Sequence, residues 1–186
     1  MSVETKVFDI NKNEDMKAQF KLRGTMYHLL YLFFVNTALR VSDVIKIQKK
    51  HIHANRLIIQ ETKTKKGQNI ELNAGIMEIL PEYLKTLKSD EDYLFPSRQK
   101  NGKEPHITRQ RVSQIIKECA KAIGLETSGI SCHSLRKMRA RAEYEANNHD
   151  IGLIMKKLNH SSEAVTLRYI GCTQEALDKA TRETVL

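Results

Sequence analysis

The sequence predicts an α+β domain, mainly α-helical, with a small three-stranded antiparallel sheet. Two patterns carry that prediction. Apolar residues recur at helical spacing over several long stretches, beginning with Met16, Phe20, Tyr27, Leu30 and Phe34. Between the helical stretches, residues 51–72 break into three short β-prone runs divided by turn residues. A chain of 186 residues, 40% of them hydrophobic, is the size of one domain and buries a real core.

Residues 1–15 are mostly polar apart from Val7-Phe8-Asp9-Ile10 and read as a linker. The spacing predicts a helix over 16–36 with Asp15 as its cap. Its second half is apolar nearly all round, the mark of a core helix. Asn36-Thr37-Ala38-Leu39-Arg40 breaks it. Ser42 then caps a short helix over 43–47, with Asp43 in its first turn. The strands are expected at 51–53, 56–60 and 69–72. Asn55 turns the first pair, and Lys63-Thr64-Lys65-Lys66-Gly67 makes a hairpin tip with three lysines. A helix over 74–88 follows, with Pro81 placed to kink or split it. Residues 89–106 are loop-like, with Pro96, Gly102 and Pro105. Thr108 caps a helix that Gly124 ends. Further helices are expected over 133–147, 150–158 and 163–170, and an amphipathic tail helix over 173–186.

Charge narrows the function classes. The chain has 31 Lys and Arg against 22 Asp and Glu, a net of +9. That balance favours an anionic partner, nucleic acid before a membrane surface. The three cysteines are odd in number and form no Cys-x-x-Cys pair, so neither a disulfide framework nor a zinc knuckle is expected. A reduced, cytoplasmic setting fits. No apolar run reaches the roughly 18 residues of a membrane span. No cofactor is expected. His51 and His53 share a strand face, but no third ligand accompanies them, so no metal site is assigned.

The chemistry-bearing residues cluster late in the chain. His133 and Arg136 are three apart and share a helix face. His160 and Tyr169 follow, with room between them for a turn and a short helix. A guanidinium grips two phosphate oxygens at once. An imidazole donates to phosphate or moves a proton near neutral pH. A phenol serves as a covalent nucleophile. Upstream, Arg40 follows a buried helix and Lys63 lies on the hairpin. Each residue also has a plain structural explanation: an Arg40–Asp43 ion pair at a helix start, a solvated turn lysine, His160 as a helix cap, a half-buried Tyr169.

The order Arg, Lys, His-x-x-Arg, His, Tyr resembles the tyrosine recombinases, also called the phage integrase family. The resemblance rests on Thr37-Ala38-Leu39-Arg40-Val41-Ser42-Asp43, Thr62-Lys63-Thr64, His133-Ser134-Leu135-Arg136, Leu158-Asn159-His160 and Tyr169. It covers roughly residues 16–170. Ala38 and Asn159 stand where the family commonly has glycine, and Asp43 where it often has glutamate. The resemblance implies a catalytic domain over 16–172, with 1–15 a linker or the remnant of a core-binding domain. The chain is thus expected to be a fragment of a longer protein.

The resemblance also implies roles. Tyr169 is the nucleophile, forming a 3′-phosphotyrosyl intermediate and a free 5′ hydroxyl, so strands rejoin without ATP. Arg40 and Arg136 bind the non-bridging oxygens, His133 is a base or relay, and His160 donates to phosphate. Lys63 is the candidate acid, Lys65 its alternative, and Asp43 a support. Lys49, Lys50, Arg109, Arg111, Arg139 and Lys156 are expected to meet the backbone of double-stranded DNA. The implied assembly is a tetramer on two DNA sites when full length, and a monomer or weak oligomer as this fragment. A DNA-binding module without recombination and a type IB topoisomerase-like enzyme are the alternatives.

Overall fold

The computed structural model describes residues 5–98, 104–172, 178 and 182–183. The single helix expected over 16–36 is two: α1, Asn13–Leu22, and α2, Thr25–Thr37. The break is Gly24, whose φ of +111° suits glycine and few other residues. α2 is buried on nearly every side and is the centre of the domain. It packs against α1 and against the later helix α7, Cys132–Ala146.

After α2 the chain enters α3, Val41–Val44, with Arg40 at its cap position. Ser42, expected as the cap, already lies inside the helix. The sheet has the order β1-β2-β3 and is antiparallel throughout. β1 is Ile52–His53, β2 is Arg56–Gln60 and β3 is Gly67–Glu71. Register is fixed by Leu57 opposite Ile70 and Ile59 opposite Gln68, with Leu57 and Ile59 facing the core. The third strand begins earlier than the sequence pattern indicates, since Gly67 pairs with Gln60 as the hairpin closes.

The helix expected over 74–88 splits into α4, Ala74–Met77, and α5, Leu80–Lys85, with Pro81 in the first turn of α5. There its missing N–H costs nothing. Thr108 caps α6, Arg109–Ala122, by accepting from the Arg111 N–H, and Gly124 follows with φ +76°. α8, Ile151–Leu158, and α9, Glu163–Tyr169, are capped by Asp150 and Ser162. A second small core ties α7, α8 and α9 together through Ala140, Ile154, Leu158 and Ile170, with Tyr169 at its edge.

The segment before α1 is packed against the domain. Phe8 is buried at 4% exposure, and the Phe8 and Lys6 amides donate to carbonyls of Ser134 and Gly129. Apart from Asp178, Arg182 and Glu183, the tail helix expected over 173–186 lies outside the described residues.

Candidate active site

Arg40 is placed by a strained turn. Ala38 caps α2 in the left-handed region, φ 55°. A non-glycine residue there costs about 1–2 kcal/mol. The turn buries Leu39 and leaves Arg40 facing the hairpin, where its Nη1 donates to Glu61 at 2.8 Å. The ion-pair partner is thus Glu61, not Asp43. Asp43 instead supports the backbone of the hairpin, its Oδ1 accepting the Thr62 N–H at 2.8 Å.

Arg136 is placed by a helix start. Ser131 and Ser134 form reciprocal caps at the N-terminus of α7, which sets Arg136 one turn in. It is buried, at 4% exposure, and its Nη2 donates to the carbonyl of Leu158 at 3.0 Å. That carbonyl belongs to the last residue of α8, where carbonyls lack intrahelical partners and the dipole favours a cation. Arg136 therefore joins α7 to α8 with one arm of its fork. Asn159 then turns the chain in the left-handed region, φ 56°, doing what glycine usually does at a helix end.

His160 follows that turn. It does not cap α9; Ser162 does. Its Nδ1 lies 3.2 Å from the Thr166 hydroxyl, and that hydroxyl donates its only hydrogen to the Ser162 carbonyl at 2.9 Å. His160 must therefore donate through Nδ1–H. Its Nε2 accepts when the ring is neutral and donates when it is protonated. The His160 ring stands edge-on to Tyr169, centroids 5.2 Å apart at 86°.

Tyr169 ends α9. Its hydroxyl is buried, and among the described residues it makes no aligned hydrogen bond. Burial pushes the phenol above its ordinary range, while Arg136 first and Arg40 second pull it back. Arg136 acts on the oxygen at close range without completing a formed bond. The two cations favour the phenolate, but burial outweighs them in the free protein. Lys137 lies 5.6 Å from the centre of the Tyr169 ring and also donates to the Thr5 carbonyl at 2.8 Å.

The two histidines are held below their ordinary value. For His133 the causes are burial, then Arg136, Arg109, Arg40 and Lys137; for His160, burial, then Arg136 and Arg40. These shared fields show Arg40, Arg136, His133, His160 and Tyr169 converging on one place. Lys63 and Lys65 do not enter it directly. Both are exposed on the turn between β2 and β3, at the rim of the site.

The six expected DNA contacts divide. Lys49 and Lys50 lie near Asp90 and Glu91, Arg111 near Glu118, and Arg139 on Glu143. Glu143 also takes Lys157 of α8, so this carboxylate ties α8 to the helix that carries Arg139. Arg109 instead lines an open groove of about 730 Å³ with Val41, Cys132, His133, Lys117 and Lys121. Lys156 is exposed on α8. Sequence reasoning misses three partners: Glu61, Lys137 and Thr166. The only signal for Glu61 is a lone acid beside a lysine-rich turn.

Two guanidinium groups and two histidines gather about a buried phenol. The chain belongs to the phage integrase family, whose model matches residues 8–175. It is similar to the probable integrase/recombinase YoeC of Bacillus subtilis, 32% identical over 94% of this chain and 93% of that protein. It is 27% identical to the tyrosine recombinase XerD of Bradyrhizobium diazoefficiens, over 94% of this chain but only 57% of that protein. In fold it matches a lambda integrase tetramer solved on a Holliday junction, with TM-score 0.71, 18% identity, and coverage of 91% of this chain and 49% of that one. Among the described residues no helix is long and apolar enough to cross a membrane.

Proposed function

We propose that this chain is the catalytic domain of a site-specific tyrosine recombinase that cleaves and rejoins double-stranded DNA for integration or excision of a mobile element. The observation that carries the reading is the Tyr169 phenol under the pull of Arg136 and Arg40, with the His160 ring 5.2 Å from its own. Tyr169 Oη bonds to phosphorus and the bond to the 5′ oxygen breaks. The phenol's proton passes to His133, and the leaving oxygen takes a proton from Lys63. Arg40 and Arg136 hold the non-bridging oxygens, whose charge grows in the transition state, so they lower the barrier more than they tighten the ground state. His160, protonated, donates from Nε2 to one of those oxygens. Lys117, Lys121 and Arg109 extend positive charge from the site along the groove, which supports a track for the DNA backbone. Assembly of the full-length protein as a tetramer on two sites is part of the proposal, supported by the lambda integrase neighbour.

The test incubates the protein with nicked suicide duplexes, recovered by covalent capture from a pool of randomised sequence. A covalent protein–DNA band resistant to boiling in detergent is expected. Tight binding with no such band at any duplex would favour a regulatory DNA-binding module instead.

A further inference from the structure

We infer that Glu61 is a positioning residue that clamps the lysine-bearing turn onto Arg40, so that the arginine and Lys63 are set by one buried carboxylate. The inference rests on the strand-cleaving reading above.

Glu61 lies at the end of β2, and its side chain is 1% exposed. A charge so deeply buried persists only with several donors. It has them: Arg40 Nη1 at 2.8 Å, Thr64 Oγ1 at 2.5 Å and Gln68 Nε2 at 3.1 Å. The Asn159 amide acts on it from the α8 side without an aligned bond. Burial alone would raise the Glu61 carboxyl; these donors outweigh it and hold it below its ordinary range.

The geometry around Lys63 gives the carboxylate a second use. The residue before Lys63 is fixed by its backbone, Thr62 N–H to Asp43. The residue after it is fixed by its side chain, Thr64 to Glu61. The Lys65 N–H closes the turn on the Glu61 carbonyl at 3.0 Å. Lys63 is thus held between two carboxylates that belong to, or grip, the segment carrying Arg40. Without Glu61 the turn keeps one anchor and Arg40 loses its seat. Misplacing a catalytic group by about 1 Å costs on the order of 10²-fold in rate.

The test uses the captured suicide duplex in two forms, one with the natural leaving oxygen and one with sulfur at the 5′ bridging position. Sulfur leaves as a thiolate and needs no proton from Lys63. Glu61→Ala should bind DNA within a few-fold of wild type and cleave the oxygen substrate on the order of 10²-fold more slowly. The sulfur substrate should recover the part of that loss that comes through Lys63 and keep the part that comes through Arg40. Thr64→Val, which breaks only the turn's bond, should show the same pattern more weakly and serves if Glu61→Ala does not fold. Hydrogen exchange at the Lys65 amide should speed up in both variants, while the Thr62 amide stays protected by Asp43. Equal loss on both substrates would place Glu61 on Arg40 alone and overturn the clamp, as would unchanged cleavage. If wild type cleaves neither substrate, the proposed function fails. Amide exchange then still decides the clamp, and unchanged protection in Glu61→Ala would refute it.

Discussion

Replacing Arg136 by lysine separates transition-state work from DNA binding. Arg136 is 4% exposed and spends one nitrogen on the Leu158 carbonyl. The rest of its fork faces Tyr169. Lysine is a single point charge and cannot hold that carbonyl and two oxygens in one plane. Losing one preorganised donor costs about 2.7–4 kcal/mol in the transition state, or 10²–10³ in rate. Affinity should change little, because a buried residue carries few of the phosphate contacts that exposed cations supply. Arg136→Lys is therefore expected to bind within a few-fold of wild type and lose about 10²–10³ in single-turnover cleavage at saturating enzyme. Arg139→Lys should leave both nearly unchanged, since Arg139 is occupied by Glu143. If Arg136→Lys lost binding and cleavage in proportion, Arg136 would be a ground-state contact and the proposed site would be wrong.

The remaining expectations concern pH, salt and packing. His133 and His160 are held below their ordinary value, so below about pH 6.5 the unfolded chain binds protons that the folded one refuses. Stability should fall as pH drops from about 7 towards 5, read as a declining midpoint in urea; a flat profile would contradict the lowering of both imidazoles. A bound phosphate should raise both histidines, so binding takes up protons and affinity should rise as pH falls from about 8 to 6 in constant salt. The net charge of +9 predicts log K for duplex DNA falling linearly with log salt, and indifference to salt would exclude a phosphate-tracking groove. Phe8→Ala should cost about 3–5 kcal/mol in thermal unfolding if the segment before α1 is part of the core, and almost nothing if it is a linker.

Much of the fold is legible in the sequence because periodicity and caps are local. Thr108 caps the helix its position announces, and Pro81 divides its helix as its missing N–H requires. Gly24 is not readable in the same way, because a single glycine inside a helical pattern does not declare its backbone angle, φ +111°. The site residues are readable by type and order. Their partners are not, because a hydrogen bond across 21 positions, such as Arg40 to Glu61, leaves no local trace. The same holds for Arg139, which looks like a DNA contact in sequence and in space is paired within α7 to Glu143, the carboxylate that also takes Lys157 of α8. Burial also reverses one sign: cations surround Tyr169, yet its phenol is raised.

Locating the covalent attachment decides whether Tyr169 is the nucleophile. The captured protein–DNA adduct should be digested and its DNA-bearing peptide identified by mass spectrometry, beside the Tyr169→Phe variant. A 3′-phosphate ester on Tyr169 is expected in wild type, with a Phe variant that binds the same duplex at similar affinity and forms no adduct. An adduct on Tyr144 or any other residue, or a covalent band that survives Tyr169→Phe, would contradict the proposed chemistry.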